Sequence, residues 1–183
     1  MEDAGILIIQ NSANTREEIY NMSKLHLMMG CPGSGKSTWL ASHAEPYKDK
    51  IVSRDEIRFS LVNPDEEYFS KENQVFNEFV RTINDNLALG YNVFADATHL
   101  NSASRLKLLR KITAEVDEID VIWIKVPLKV ALERNELREG RSYVPPTVIK
   151  NMFNSLQMPD FNEGIDKVYI VEEGLPIEVI ERG

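Results

Sequence analysis

The sequence predicts an α/β fold of three layers: a central parallel sheet, helices on both of its faces, and a helical lid over one end. Three observations predict it. From Lys24 onward, short apolar runs alternate with longer amphipathic stretches, the alternation that a parallel sheet and its crossover helices require. A glycine-rich segment, Gly30-Cys31-Pro32-Gly33-Ser34-Gly35-Lys36-Ser37, follows the first of these apolar runs and opens a helical pattern. A basic stretch between Lys125 and Lys150 interrupts an otherwise acidic chain.

Residues 1–22 stand apart as an N-terminal extension, and residues 23–183 form the expected domain. Within the extension, Gly5–Ile9 fits a short strand and Thr15–Tyr20 a short helix. Met22-Ser23-Lys24 followed by Leu25-His26-Leu27-Met28-Met29 reads as a natural beginning for the fold. The extension is therefore either an added arm or an upstream start, and the sequence leaves both open. Strands are expected at Leu25–Met29, Lys50–Ser53, Asn92–Ala95, Val121–Val126 and Lys167–Val171. The clearest helix runs from Ser70 to Leu89, where Val75, Phe76, Phe79, Val80, Ile83 and Leu87 recur at three- and four-residue steps and Gly90 ends the run. Pro127 permits the first turn of a helix running toward Arg138. Pro145-Pro146 closes a loop and opens a further helix, Thr147 to Leu156.

A length of 183 residues suits one domain, and an apolar share of 43% suffices for its core. No uninterrupted apolar stretch reaches the roughly eighteen residues of a membrane span. The start Met1-Glu2-Asp3 lacks the basic residues of a secretion signal. The single cysteine, Cys31, excludes an internal disulfide and fits a reducing cytoplasm, the expected location. His26, His43 and His99 share no ligand spacing with it, so no zinc site is expected. The net charge of −8 argues against a protein that coats a duplex, which needs a basic face. It leaves open the recognition of a nucleic acid end in a small pocket, where few phosphates need partners. A homo-oligomer is compatible with the sequence.

Gly30 to Ser37 has the spacing G-x-x-x-x-G-K-[ST] between an apolar strand and a helix pattern, Thr38 to His43. That context makes it a phosphate-binding loop for ATP with Mg²⁺. Gly30, Gly33 and Gly35 let the backbone curl so that N–H groups, those of Ser34 and Thr38 among the candidates, point at phosphate oxygens. The helix that follows adds about half a positive charge at its N-terminus. Lys36 is expected to reach the β- and γ-phosphates, and the Ser37 hydroxyl to hold Mg²⁺. Cys31 inside the loop has two readings: a small residue that the turn tolerates, or a thiol made reactive by the helix terminus.

The second strand ends in Ser53-Arg54-Asp55, with Arg58 three residues on. Ligands of parallel α/β sheets sit at the carboxyl ends of strands. Asp55 is thus a candidate general base that orients an acceptor hydroxyl and takes its proton. Arg58 on the same helical face suggests an anionic acceptor. A helix-capping aspartate beside a solvated arginine explains the spacing equally well. The third strand ends in Asp96-Ala97-Thr98-His99. Asp96 either holds Mg²⁺ through water or caps the helix that begins near Ser102, and Thr98 is a candidate acceptor contact. Between Lys125 and Lys150, Lys125, Lys129, Arg134, Arg138, Arg141 and Lys150 outnumber Glu133, Glu136 and Glu139, a net of +3. Arg134 and Arg138, four apart, are expected on one helical face, with Gly140 and Pro145-Pro146 bounding a mobile loop. Arginines supplied from such a lid stabilise a phosphoryl group in flight, worth about 10³–10⁵ in rate or about 4–7 kcal/mol of barrier. A solvated helix laced with Glu–Arg pairs is the competing explanation.

Together these residues resemble the kinase domain of phage-type polynucleotide 5′-kinases, over about Leu25 to Leu156. The likeness rests on Gly30 through Trp39, on Ser53-Arg54-Asp55 with Arg58, on Asp96 through Asn101, and on Arg134-Asn135 with Arg138, Gly140 and Val144-Pro145. The phosphate loop is shared with many small kinases; the other elements are more specific. The resemblance implies transfer of the γ-phosphate of ATP to a 5′-hydroxyl nucleic acid end, DNA or RNA. It implies Asp55 as general base, Arg58 on the acceptor's phosphate, and Arg134 and Arg138 on the donor phosphates. The segment after Asp96 and the lid loop each differ from the phage pattern by about one residue. The Asp-x-Asp-Gly-Thr signature of the phage phosphatase domain does not occur, so no 3′-phosphatase activity is expected. Two other functions compete: a kinase of a small-molecule hydroxyl (a sugar, an antibiotic or a nucleotide sugar), and a slow ATP-driven switch. The switch has no use for an acceptor-side base.

Overall fold

The computed structural model describes residues 23–183, so the strand expected at Gly5–Ile9 and the helix at Thr15–Tyr20 lie outside the described residues. The chain lays down β1 (Lys24–Met29), α1 (Lys36–His43), β2 (Asp49–Ser53), α2 (Arg54–Leu61), α3 (Glu72–Ala88), β3 (Asn92–Asp96), α4 (Ser102–Leu109), β4 (Glu118–Ile124), α5 (Leu128–Glu136), α6 (Pro146–Asn154), β5 (Lys167–Val171) and β6 (Glu178–Glu181). Short 3₁₀ turns at Gly140–Ser142 and Phe161–Glu163 follow α5 and α6. The sheet order is β2-β3-β1-β4-β5-β6. The first five strands pair in parallel, and β6 closes the edge antiparallel to β5.

Burial on both faces explains why the central strands read as continuous apolar runs. Leu25, Leu27 and Met29 of β1 point into a core completed by Phe79, Ile83 and Leu87 of α3 and by Val93, Val121 and Val168 of neighbouring strands. Met28 points the other way, among Leu40 of α1, Phe94, Ile122 and Ile124. A third cluster (Cys31, Leu100, Ala131 and Ile149) fastens α5 and α6 to the loop after β1. Fully buried Arg105 of α4 adds a polar staple. Its guanidinium meets both carboxylate oxygens of Glu163 at 2.7 Å and donates to the carbonyls of His99 and Gln157 at 3.1 Å. It thereby ties the β3–α4 loop to the segment leaving the lid.

Two expectations change. The helix opened by Pro127 ends at Glu136, so Arg138 lies past its end, its N–H donating to the carbonyl of Asn135. Arg134 and Arg138 are therefore not two points on one helix. The sheet is also not wholly parallel, because of β6. Among the described residues no helix is long and apolar enough to cross a membrane.

Candidate active site

The loop from Gly30 to Gly35 leaves the carboxyl end of β1 in the middle of the sheet. Two of its glycines are required by close approach as well as by backbone angle. A Cβ on Gly30 (φ +152) would lie 2.6 Å from the Ser34 hydroxyl, and one on Gly33 (φ +82) would lie 2.3 Å from the carbonyl oxygen of Ala131 in α5. The loop is held to the segment after β3 by the Gly30 N–H, which donates to Thr98 O at 3.1 Å. Lys36 reaches back over it, its ammonium donating to Gly30 O at 2.9 Å and to Cys31 O at 3.3 Å. Burial pushes the Lys36 ammonium below its ordinary value, and the carboxylate of Asp96 opposes that. Ser37 and Thr38 lie at the start of α1, Thr38 among its exposed residues. The residues fit a phosphate chain with Mg²⁺: a curled backbone in which a Cβ would clash, an ammonium turned inward, and hard oxygen donors at Ser37 and Asp96. Cys31 is buried, and burial raises its thiol pKa against the pull of Lys36. It is a small residue accommodated by the turn, and the reactive-thiol reading fails.

The capping explanations for the two acidic residues also fail. Helix α2 is capped by Ser53, whose hydroxyl accepts from the Glu56 N–H, and the Asp55 side chain stays 67% exposed. Helix α4 is capped by Asn101 in a reciprocal arrangement with Ser104. Asp96 is thus free of capping duty at the end of β3. Burial raises its pKa, Lys36 lowers it, and Asp55 and Glu56 raise it further. Asp55 and Arg138 both act on Lys36 and on Asp96. The charges carried by α2 and by the lid are thus felt at both Lys36 and Asp96.

Arg58 differs from the expectation. It is 5% exposed and held behind Asp55 rather than facing open space. One terminal nitrogen donates to Asp55 Oδ1 and lies 3.3 Å from the Tyr68 hydroxyl; the other meets Glu72 Oε2 at 2.9 Å. Its Nε is buried without a partner among the described residues. The Tyr68 hydroxyl also donates to Asp55 Oδ1, at 3.1 Å. Arg54 shares Glu72 with Arg58. The rings of Tyr68 and Phe69 flank the Arg58 guanidinium, and Phe59 packs edge-on against Tyr68. Tyr68 and Glu72 escaped the sequence reading, since nothing local marks them, and Arg54 was quoted within Ser53-Arg54-Asp55 without a role of its own.

The lid reaches both sides of the site. Arg134 lies over the phosphate loop, 3.4 Å from Ser34 O, and its other nitrogen pairs with Glu173 at 2.6 Å. Arg138 donates to Ser142 O at 3.3 Å. Arg141 sits 4.7 Å above the Phe59 ring, joining the lid tip to α2. Buried Asn135 pinches the loop at its neck through paired hydrogen bonds with the Val144 backbone, at 2.7 and 3.1 Å. Thr98, half-buried, contributes its carbonyl to the phosphate loop.

A phosphate loop at the centre of a mostly parallel sheet, under a helical lid that carries arginines, defines a P-loop kinase fold. The chain belongs to the AAA_33 family, described as an AAA domain, whose sequence model matches residues 25–159. No curated protein matches the chain. Among solved structures it is similar to a chain of the Pnkp1/Rnl/Hen1 RNA repair complex, with a TM-score of 0.65 and 21% identity over 89% of this chain. It spans about half of that chain, 49%. It is also similar to a gluconokinase from Sinorhizobium meliloti (TM-score 0.54, 20% identity, 86% of this chain and 85% of that one). A sugar kinase from Janibacter sp. HTCC2649 gives a TM-score of 0.54 at 15% identity, covering 85% and 87% of the two chains. At these identities the likeness establishes the fold alone.

Proposed function

We propose that this protein is an ATP-dependent kinase that phosphorylates the 5′-hydroxyl end of a polynucleotide, with Asp55 as general base. One observation carries the reading: Asp55 is an exposed carboxylate whose oxygen is fixed by Arg58 and Tyr68, and its charge is felt at Lys36 and Asp96. A carboxylate held in that way can accept the proton of a hydroxyl brought to the mouth of the phosphate loop. The backbone of Gly30 to Thr38 binds the donor's phosphates, and Lys36 neutralises their outer charge. Ser37 and Asp96 would hold Mg²⁺, which when bound would supply further charge neutralisation. Arg134 and Arg138 add fixed positive charge where charge develops during transfer. Arg58 acts as a positioning residue for Asp55.

Support for a nucleic acid acceptor comes from the aromatic surroundings of Asp55. Phe59, Tyr68 and Phe69 are partly exposed beside it, and Arg141 stands over Phe59. Nucleobases stack on such faces, at roughly 1–3 kcal/mol per base. The RNA repair complex among the similar structures agrees with this reading. The small-molecule reading draws on the gluconokinase and the sugar kinase, which match over most of both chains.

The experiment is transfer of radiolabelled γ-phosphate to a 5′-hydroxyl oligonucleotide, a nucleoside 3′-monophosphate, gluconate and other sugars, with Lys36→Ala as the blank. Preference for the oligonucleotide or the nucleoside 3′-monophosphate supports the proposal. Preference for a sugar hands the site to the small-molecule reading.

A further inference from the structure

We infer that Lys107, Arg110 and Lys111, on the outer face of α4 and the turn after it, form the path along which a single-stranded acceptor leaves the active site. The inference rests on the polynucleotide reading above and gives the strand a place to lie.

Charge segregation is the first observation. Between Asp96 and Glu115 the sequence holds Arg105, Lys107, Arg110 and Lys111 and no acidic residue, within a chain of net charge −8. Arg105 turns inward to Glu163. The other three lie toward solvent, and none forms an ion pair among the described residues. Elsewhere Arg81, Lys125 and Lys129 lie against carboxylates, and the exposed cations without an ion pair, Lys48, Arg138, Lys150 and Arg182, are scattered singly along the sequence. An acidic protein that leaves one face free of anions keeps that face available to a polyanion.

Shape is the second. Ala103, Leu106 and Lys107 share one side of α4, and Arg110 and Lys111 of the turn that follows continue it. With Ser102 they line a shallow cleft of about 520 Å³. The end of α4 and the turn after it advance by about 6 Å from Lys107 to Lys111 at a helical rise per residue, against roughly 3.4 Å per nucleotide along a stacked strand. The three cations therefore cover about two phosphates, enough to hold a short strand and too few to coat a long one.

Continuity with the acceptor site is the third. The Lys107 ammonium lies 4.4 Å from the centre of the Phe76 ring, and the Arg54 guanidinium lies 5.4 Å from the same ring. Arg54 directly precedes Asp55. The basic face thus begins one aromatic ring away from the residue that neighbours the general base. A strand whose 5′ end meets Asp55 can pass Arg54 and Lys107, which cover the buried Phe76 ring, and continue along α4.

The alternative is that these cations serve only the helix, whose C-terminal end favours positive charge. The test is the triple variant Lys107→Gln, Arg110→Gln, Lys111→Gln, with a double variant carrying Lys107→Arg and Lys111→Arg alongside native Arg110 as a charge-preserving control. Acceptors are a 5′-hydroxyl oligonucleotide of about ten nucleotides, within the range a single-strand site covers, and a nucleoside 3′-monophosphate too short to reach α4. Oligonucleotide affinity is read separately by fluorescence anisotropy. The glutamine variant should lose at least about 10-fold in kcat/KM for the oligonucleotide at low salt. Its log–log salt slope should flatten by about 1–2, at roughly 0.7 for each phosphate that no longer has a cationic partner. Its kinetics with the nucleoside 3′-monophosphate should be unchanged, and the arginine control should match wild type with both. An equal loss with both acceptors, or a lowered melting temperature with unchanged oligonucleotide binding, overturns the path. Wild-type protein that phosphorylates no 5′-hydroxyl acceptor would instead sink the polynucleotide reading itself. If the triple glutamine variant does not fold, the singles Lys107→Gln and Lys111→Gln must each show part of the selective loss.

Discussion

Replacing Arg58 separates two roles that its position beside Asp55 confounds. If Arg58 grips the acceptor's phosphate, Arg58→Ala slows a nucleoside 3′-monophosphate and spares the bare nucleoside. The geometry argues for the other role, since both terminal nitrogens are engaged with Asp55 and Glu72 and the side chain is buried. Arg58→Ala removes the charge-assisted hydrogen bond that orients Asp55, leaving the Tyr68 hydroxyl as its other donor. Such a bond is worth roughly 1.5–3 kcal/mol, which corresponds to about 10- to 150-fold in rate. The expected outcome is a fall of that size in kcat for both acceptors, with the KM for ATP little changed. Arg58→Lys should rescue poorly, because one ammonium cannot bridge Asp55 and Glu72 as the planar fork does. The assay is steady-state transfer to the two acceptors by wild type, Arg58→Ala and Arg58→Lys, with thermal melts to confirm folding. A selective loss on the phosphorylated acceptor, with the bare nucleoside untouched, would refute the positioning role.

Three further outcomes are expected. Asp55→Asn keeps the side chain's shape and both of its hydrogen-bonded neighbours but cannot take a proton, so kcat should fall at least ~10²-fold while ATP titration shows little change; lost ATP binding with intact kcat would move Asp55 to the donor side. Arg138→Ala should depress kcat more than it raises the acceptor KM, because fixed charge there acts on the transition state; unchanged kcat returns the lid to a solvated segment. His99 is buried against Met28 O, and burial lowers its pKa to about 4 from the ordinary 6.5. The unfolded chain therefore takes up the proton first, so this contribution is intact above about pH 6.5 and lost as pH falls toward about 4, on the order of 3 kcal/mol in full. His99→Asn, which tolerates the left-handed backbone at φ 41, should flatten the fall of melting temperature across that window; parallel curves for the two proteins would count against it.

What the sequence made legible was what local pattern encodes. Strands buried on both faces announce themselves as apolar runs, and the phosphate loop is written in eight consecutive residues. The edge strand β6 was missed because its residues, Glu-Val-Ile-Glu, are short, flanked by acid and largely exposed. The start of β4 was missed because Glu118 and Asp120 are polar. They are accommodated in the sheet by Lys24, Lys167 and His26, which arrive from other strands. Arg58 was located by its three-residue step from Asp55, but its partners Tyr68 and Glu72 come from beyond α2, brought back only by the packing of α3. The reach of α5 was overestimated because the Arg134–Arg138 spacing is helical whether or not the chain remains so.

The pinch between Asn135 and Val144 has a consequence for how the lid does its work. A loop free along its whole length must be ordered each time substrates bind, and that entropy is subtracted from the binding energy. Here the two ends of the segment carrying Arg138 and Arg141 are already joined. The root of α5 is also seated so tightly on Gly33 that no side chain fits between them. Most of the ordering is thus completed when the protein folds, and little is left for each catalytic cycle. The guanidinium groups arrive preorganised, and binding energy from the substrates remains available for alignment at the reacting centre.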